Sequence, residues 1–164
     1  MQAELLQKAA DLQCKTRQIL YIDDEPSITA IVEYSLDLFT QWQVTTVSGG
    51  QALQVAEAKS WDVILLEIGL CSDIGFMLYD QLIHGPRTRH IPLMVFTTMV
   101  TAADLHTYQQ MDLAGVIAKP FNPLTLGSQI AELLGWEDPA QTNRFRGCLK
   151  GQRASQIIPI TPSE

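Results

Sequence analysis

Metal-binding and cross-linking residues are sparse in this 164-residue chain, and none of them is patterned. Cys14, Cys71 and Cys148 lie far apart and show no CxxC spacing. An odd, scattered set suits a reducing cytosol better than a disulfide framework. His84, His90 and His106 have no ligand spacing to one another or to a cysteine, which argues against zinc. No apolar run approaches the length of about 18 residues that a membrane helix needs. The opening MQAELLQKAADLQCKTR threads charges through its apolar residues and lacks a signal-peptide core. Basic charge is also short. Against 18 Asp and Glu stand 11 Lys and Arg, a net of −7 that argues against nonspecific nucleic-acid binding. No repeat period or low-complexity segment is visible. The expectation is a soluble cytoplasmic protein with no membrane span and no direct nucleic-acid contact.

What remains is an ordinary globular composition, 46% hydrophobic and 18% charged, with room for one full domain and an appendage. The chain is organised around Gln18–Pro26, QILYIDDEP. Ile19-Leu20-Tyr21-Ile22 is a short β-branched and aromatic run that suits a buried strand. It breaks into Asp23, Asp24 and Glu25, and Pro26 then opens a helix with apolar residues at Ile28, Ile31, Val32, Leu36 and Phe39. By itself the acidic run suits a divalent-metal site or a solvated surface loop equally well.

Further along, Trp42–Val47 reads as a strand, and Ser48-Gly49-Gly50 as the cap of a helix over Gln51–Ala58. Trp61–Ile68 (WDVILLEI) is continuously apolar at its centre, as expected for a strand buried on both faces. A third helix follows from Gly75 through Ile83. Ile91–Thr97 is a fourth strand, Thr101–Met111 a fourth helix and Gly115–Ala118 a fifth strand. The last helix spans about Pro123–Leu134, capped near Asn122 and stopped at Gly135. Strand and helix alternate five times, which predicts an α/β fold with a parallel sheet covered on both faces. The chain divides into an N-terminal extension with helical spacing (1–16), a central domain (17–136) and a tail (137–164). The tail has four bases to three acids, and its run Gln156–Ile160 is apolar enough to dock, at a place the sequence does not specify.

The strand ends carry the chemistry. Asp23 and Asp24 end the first, Glu67 the third, Thr97 the fourth and Lys119 the fifth. Parallel strands put their carboxyl ends on one edge, so these side chains can converge. Carboxylates suit Mg²⁺, while a hydroxyl and an ammonium suit phosphate oxygens.

From about Gln18 to Leu134 the chain resembles a response-regulator receiver domain of the CheY-like family. The resemblance rests on YIDDEP, DVILLEI, the two threonines after IPLMVF, the AKPF of Ala118–Phe121, and Gly75 at the start of the third helix. It implies a three-layer, doubly wound, flavodoxin-like sheet of five parallel strands in the order 2-1-3-4-5, with the ligand at the carboxyl ends of the strands. It also implies that Asp23, Asp24, Glu67 at the acceptor position and the Gly69 carbonyl bind Mg²⁺, with Thr97 and Lys119 forming the phosphoryl pocket. The Lys119–Pro120 bond is implied to be cis.

The sequence departs from the family at the centre. Glu67 stands where the family has its phosphoacceptor aspartate. The extra methylene moves the carboxylate by on the order of 1.5 Å, and misplacement near 1 Å can cost about a hundredfold in such transfer. Glutamate at this position can also resemble the phosphorylated state. Val116 stands where many members have the threonine's aromatic partner, and Cys71 where a proline commonly follows the acceptor. The favoured reading is a stand-alone pseudo-receiver in phosphorelay signalling, not an enzyme, acting by protein–protein contact. The alternatives are a conventional receiver phosphorylated on Glu67 or a neighbour, and a Mg²⁺-dependent phosphatase or phosphotransferase. After Gly135 only 29 residues remain, too few for an ordinary DNA-binding effector domain. The implied partners are a histidine kinase or a downstream effector, with a homodimer through the fourth helix, fifth strand and fifth helix.

Overall fold

Runs of adjacent apolar residues, rather than alternating ones, build the centre of the sheet. In the computed structural model, which describes residues 16–69, 73–98, 100–139 and 157–158, they become strands buried on both faces. The elements are β1 (Gln18–Ile22), α1 (Pro26–Phe39), β2 (Gln43–Val47), α2 (Gly49–Ala58), β3 (Val63–Glu67), α3 (Asp73–His84), β4 (Leu93–Thr97), α4 (Ala102–Gln109), β5 (Gly115–Ala118), α5 (Leu126–Leu134) and β6 (Ile157–Ile158). Five strands are parallel in the expected order 2-1-3-4-5, and β6 adds an antiparallel sixth beside β5. The 156–160 run, whose place the sequence left open, thus supplies a strand at the sheet edge. The helical extension expected over 1–16 lies almost wholly outside the described residues, as do all three cysteines.

Side chains alternate across each strand, which splits the core in two. Leu20, Ile22, Ile64, Leu66, Val95 and Val116 face α2, α3 and Tyr108 of α4. Ile19, Tyr21, Leu65, Met94, Phe96 and Ile117 face Val32 and Leu36 of α1 and Leu126, Ile130 and Ala131 of α5. On that second side the rings of Tyr21, Phe96 and Phe121 meet edge to face, 5.4 and 5.6 Å apart. Trp42, expected in β2, falls just before it and packs edge-on against Trp136 at 5.3 Å.

Boundary differences have local causes. α5 begins at Leu126 rather than Pro123, because Asn122 Oδ1 accepts the Leu124 N–H at 3.0 Å and folds the preceding residues into turns. The expected stop holds: Gly135 takes the left-handed conformation at φ 65° and its N–H caps the helix. α4 begins with a full capping box between Thr101 and Asp104.

α1 and α5 approach closely through Gly127. A Cβ there would lie 2.6 Å from Thr40 Cγ2. Thr40 cannot easily rotate away, since its hydroxyl bonds Leu36 O and accepts the Trp42 N–H. Gly127→Ala is therefore expected to destabilise the fold by about 1–2 kcal/mol, overpacking outweighing the gain of about 1 kcal/mol in helix propensity. Urea unfolding checks this, and a variant at least as stable as wild type would contradict it.

Candidate functional site

β1, β3 and β5 deliver their terminal side chains to one edge of the sheet. Asp23, just past β1, is buried and carries three hydrogen bonds. Its Oδ1 accepts the Glu25 N–H at 2.8 Å, and its Oδ2 accepts the Tyr21 hydroxyl at 2.6 Å and the Lys119 ammonium at 2.8 Å. Lys119 also stands 3.8 Å from Glu67 Oε1, with 9% of its side chain exposed against 24% for the glutamate. One ammonium therefore bridges the carboxylates that end β1 and β3.

The other expected residues divide. Asp24 faces the same cleft, but its Oδ1 accepts the Gly49 N–H at 2.9 Å, holding the first amide of α2. Ser48, the N-cap residue, makes no side-chain cap bond, and the Asp24 carboxylate sits at the positive end of this helix. Gly69 lies against the glutamate: a Cβ on it would stand 3.0 Å from Glu67 Oε1. The cleft, about 250 Å³, is lined by Asp23, Asp24, Gly49, Glu67 and Gly75, with apolar walls that include Ile74. Thr97 is fully buried, and its hydroxyl proton goes to Ile68 O at 2.8 Å. Tyr108 in turn donates to Thr97 Oγ1 at 3.1 Å. A hydroxyl has one proton to give, so Thr97 cannot donate into the cleft without leaving Ile68. Lys119–Pro120 is cis, as the resemblance implied.

Two site residues escaped sequence reasoning. Tyr21 reads as an apolar strand member, although its position two residues before Asp23 places both on one face. Tyr108 comes from α4, and nothing in its spacing to Thr97 signals the contact. Val116, at the position where the family aromatic was expected, is instead an apolar core residue. Burial raises both phenol pKa values; the hydrogen bond to Asp23 adds to the rise at Tyr21, and the bond to Thr97 opposes it at Tyr108. Both remain hydrogen-bond donors at neutral pH.

Glu67 is held above the usual glutamate range, first by burial, with Lys119 pulling the other way and Asp23, Asp24 and Glu25 adding to the rise. The cleft offers carboxylate oxygens of the kind Mg²⁺ takes. Mg²⁺ is commonly held by one or two carboxylates with water completing its shell, and Asp23 and Asp24 are the donors that would hold it here. Among the described residues, though, no three His, Cys, Asp or Glu side chains gather as a metal site. Asp23 is already neutralised by Lys119, so no step here is routed through a metal.

The family described as "Response regulator receiver domain" matches residues 19–131. The chain belongs to the response-regulator receiver family. This receiver is 29% identical over 122 residues to the alkaline phosphatase synthesis transcriptional regulatory protein PhoP of Bacillus subtilis, covering 72% of this chain and 48% of that protein. A probable transcriptional regulator, ycf27 of Guillardia theta, is 26% identical over 128 residues, covering 77% and 49%. The chain thus spans about half the length of the curated relatives it matches. Among solved structures, CheY4 of Vibrio cholerae gives a TM-score of 0.65 at 24% identity, covering 73% of this chain and 99% of that one. The receiver domain of the sensor histidine kinase PA1611 from Pseudomonas aeruginosa, with magnesium coordinated in its active-site cleft, gives 0.63 at 25%, covering 73% and 98%. These relatives make the chain a receiver domain of two-component signalling. Among the described residues no helix is long and apolar enough to cross a membrane.

The raised pKa of Glu67 fixes a pH dependence. Folded chains hold this proton above the ordinary value of 4.5 and unfolded chains release it there. The resulting stabilisation is complete below the unfolded value and is lost as pH rises through the folded one. Glu67→Gln removes that slope. Urea midpoints of wild type and variant, compared from pH 4 to 8, should diverge in the variant's favour as pH rises and then run parallel; a pH-independent difference would refute the assignment.

Proposed function

We propose that this chain is a pseudo-receiver, with Glu67 at the phosphoacceptor position and output by protein–protein contact. The observation that carries the reading is the joint state of Thr97 and Lys119. The ammonium is committed to Asp23 and leans on Glu67, while the threonine's proton is committed to Ile68 O. Glu67 thus engages one of the two groups that would take a phosphoryl oxygen and leaves the other turned toward Tyr108. The pocket rests in its unphosphorylated arrangement, and the extra methylene misplaces the carboxylate for in-line attack.

In this reading the receiver covers 17–136, with 1–16 and 137–164 as appendages, and acts in the cytoplasm. Its partners are a histidine kinase or a downstream effector, met through α4, β5 and α5, and a second copy is a further candidate for that face. Contact, not turnover, is the output. Mg²⁺ at Asp23, Asp24, Glu67 and the Gly69 carbonyl belongs to the same reading, supported by the donor chemistry and by the magnesium-bound P. aeruginosa relative. A conventional receiver phosphorylated on Glu67 is the competing reading, since the pocket residues other than the acceptor are all present.

Intact mass after incubation with acetyl phosphate decides between them, with wild type beside Glu67→Asp and each run with and without Mg²⁺. The expected result is one added phosphoryl group on the aspartate variant, dependent on Mg²⁺, and none on wild type. Labelling of wild type within the cleft would establish the conventional receiver instead.

A further inference from the structure

β5 would be the outermost strand of the parallel sheet, presenting unpaired backbone groups that pair readily with any extended segment. Here the chain's own tail takes that edge. Ile158 pairs with Val116 and Ile157 with Ile117, antiparallel to β5, in a register that leaves Gly115 and Ala118 without a β6 partner. The strand is two residues long, and the next residue in sequence, Pro159, has no N–H with which to extend the ladder.

Between Pro139, beside Gly127 of α5, and Ile157 lie 17 residues. Fully extended, such a connection reaches about 60 Å. A covalent link of this length corresponds to an effective concentration on the order of millimolar, which favours the resident strand over a dilute competitor of equal length. The same arithmetic makes the strand replaceable. Two ladder residues are a minimal pairing, and a segment that pairs along all four residues of β5 forms more backbone bonds than the resident one.

We infer that the outer edge of β5 is a strand-addition surface, kept closed in cis by the chain's own Ile157–Ile158 and opened to a longer extended, uncharged, β-branched segment that displaces this clasp. The inference rests on the reading of output by contact and gives that contact a chemistry: main-chain pairing along β5, with the tail as built-in competitor. It also bears on the expected dimer face, because the middle strand of that face has its free edge occupied.

Hydrogen exchange on the full-length chain tests it. Ala114 N–H bonds Leu93 O on the β4 side, so by strand alternation the Ile117 amide faces β6. In Ile157→Pro, and independently in Ile158→Pro, that amide is expected to exchange at least tenfold faster than in wild type. The amides of Val63–Glu67 in β3 should be unchanged, which controls for loss of the fold. The probe ligand is a fluorescent peptide of residues 152–162 carrying Pro159→Thr, so that its ladder can continue. By anisotropy it should bind either proline variant at least tenfold more tightly than wild type. On wild type, saturating peptide should accelerate exchange at 157–158 while Ile117 stays protected, a readout that needs no variant. Unchanged Ile117 exchange in both variants, equal peptide affinity, or no release of the tail under saturating peptide would each overturn the inference. A wild-type dimer by light scattering that Ile157→Pro converts to monomer would place the strand in trans and overturn the cis assignment. No arm uses a phosphoryl donor or Glu67, so these outcomes stand apart from the acetyl phosphate result.

Discussion

One buried cation organises the functional edge of this receiver. The Lys119 ammonium, donated from the end of β5, lies 2.8 Å from Asp23 at the end of β1 and 3.8 Å from Glu67 at the end of β3. Without it, two carboxylates would share a largely dry corner, and Asp23 would be a buried charge with no counter-charge. Its placement depends on the sheet. Lys119 N–H bonds Thr97 O at 2.8 Å, so β4 fixes the backbone from which the side chain reaches across to β1. The three strands that meet at the cleft are thus tied by their ladders and by one shared charge. Tyr21, donating to Asp23 from inside the second core, joins that charge to the aromatic chain through Phe96 and Phe121.

Thr97 shows how the same elements partition the pocket. Its neighbours draw its hydroxyl toward the far side of β4, where Tyr108 closes the other core. An apolar Val116 on β5 leaves the phenol to come from α4 instead. The two hydroxyl-bearing rings near the site therefore lie in opposite cores, one bonded to the acid of β1 and one to the hydroxyl of β4. The acidic and hydroxylic parts of the pocket are held by separate sets of packing contacts.

The sheet was legible because its signals are redundant. Continuous apolar runs such as Val63–Leu66 admit few alternatives once helices of consistent period separate them. Asp23, Glu67, Thr97 and Lys119 were legible for a related reason: each ends a strand, and parallel strands share one edge. What the sequence withheld depends on side-chain direction and on contacts between distant segments. Thr97 faces Ile68 rather than the cleft, a rotamer choice made by a carbonyl 29 positions away. Asp24 accepts the Gly49 N–H across 25 positions of sequence, and no local pattern announces that bond. β6 pairs across 40 and 42 positions of sequence with a strand whose own run gives no sign of an extra partner.

The Asp24–Gly49 bond gives the cleft a mechanical link to the outside of the molecule. One carboxylate serves both as wall of the cleft and as the stop that holds the first turn of α2 wound. A ligand that turns Asp24 away from that amide leaves the helix end to fray by the amount a lost cap permits. Occupancy of the cleft is in this way written onto the opening turn of α2, on the side of the sheet away from α1 and α5.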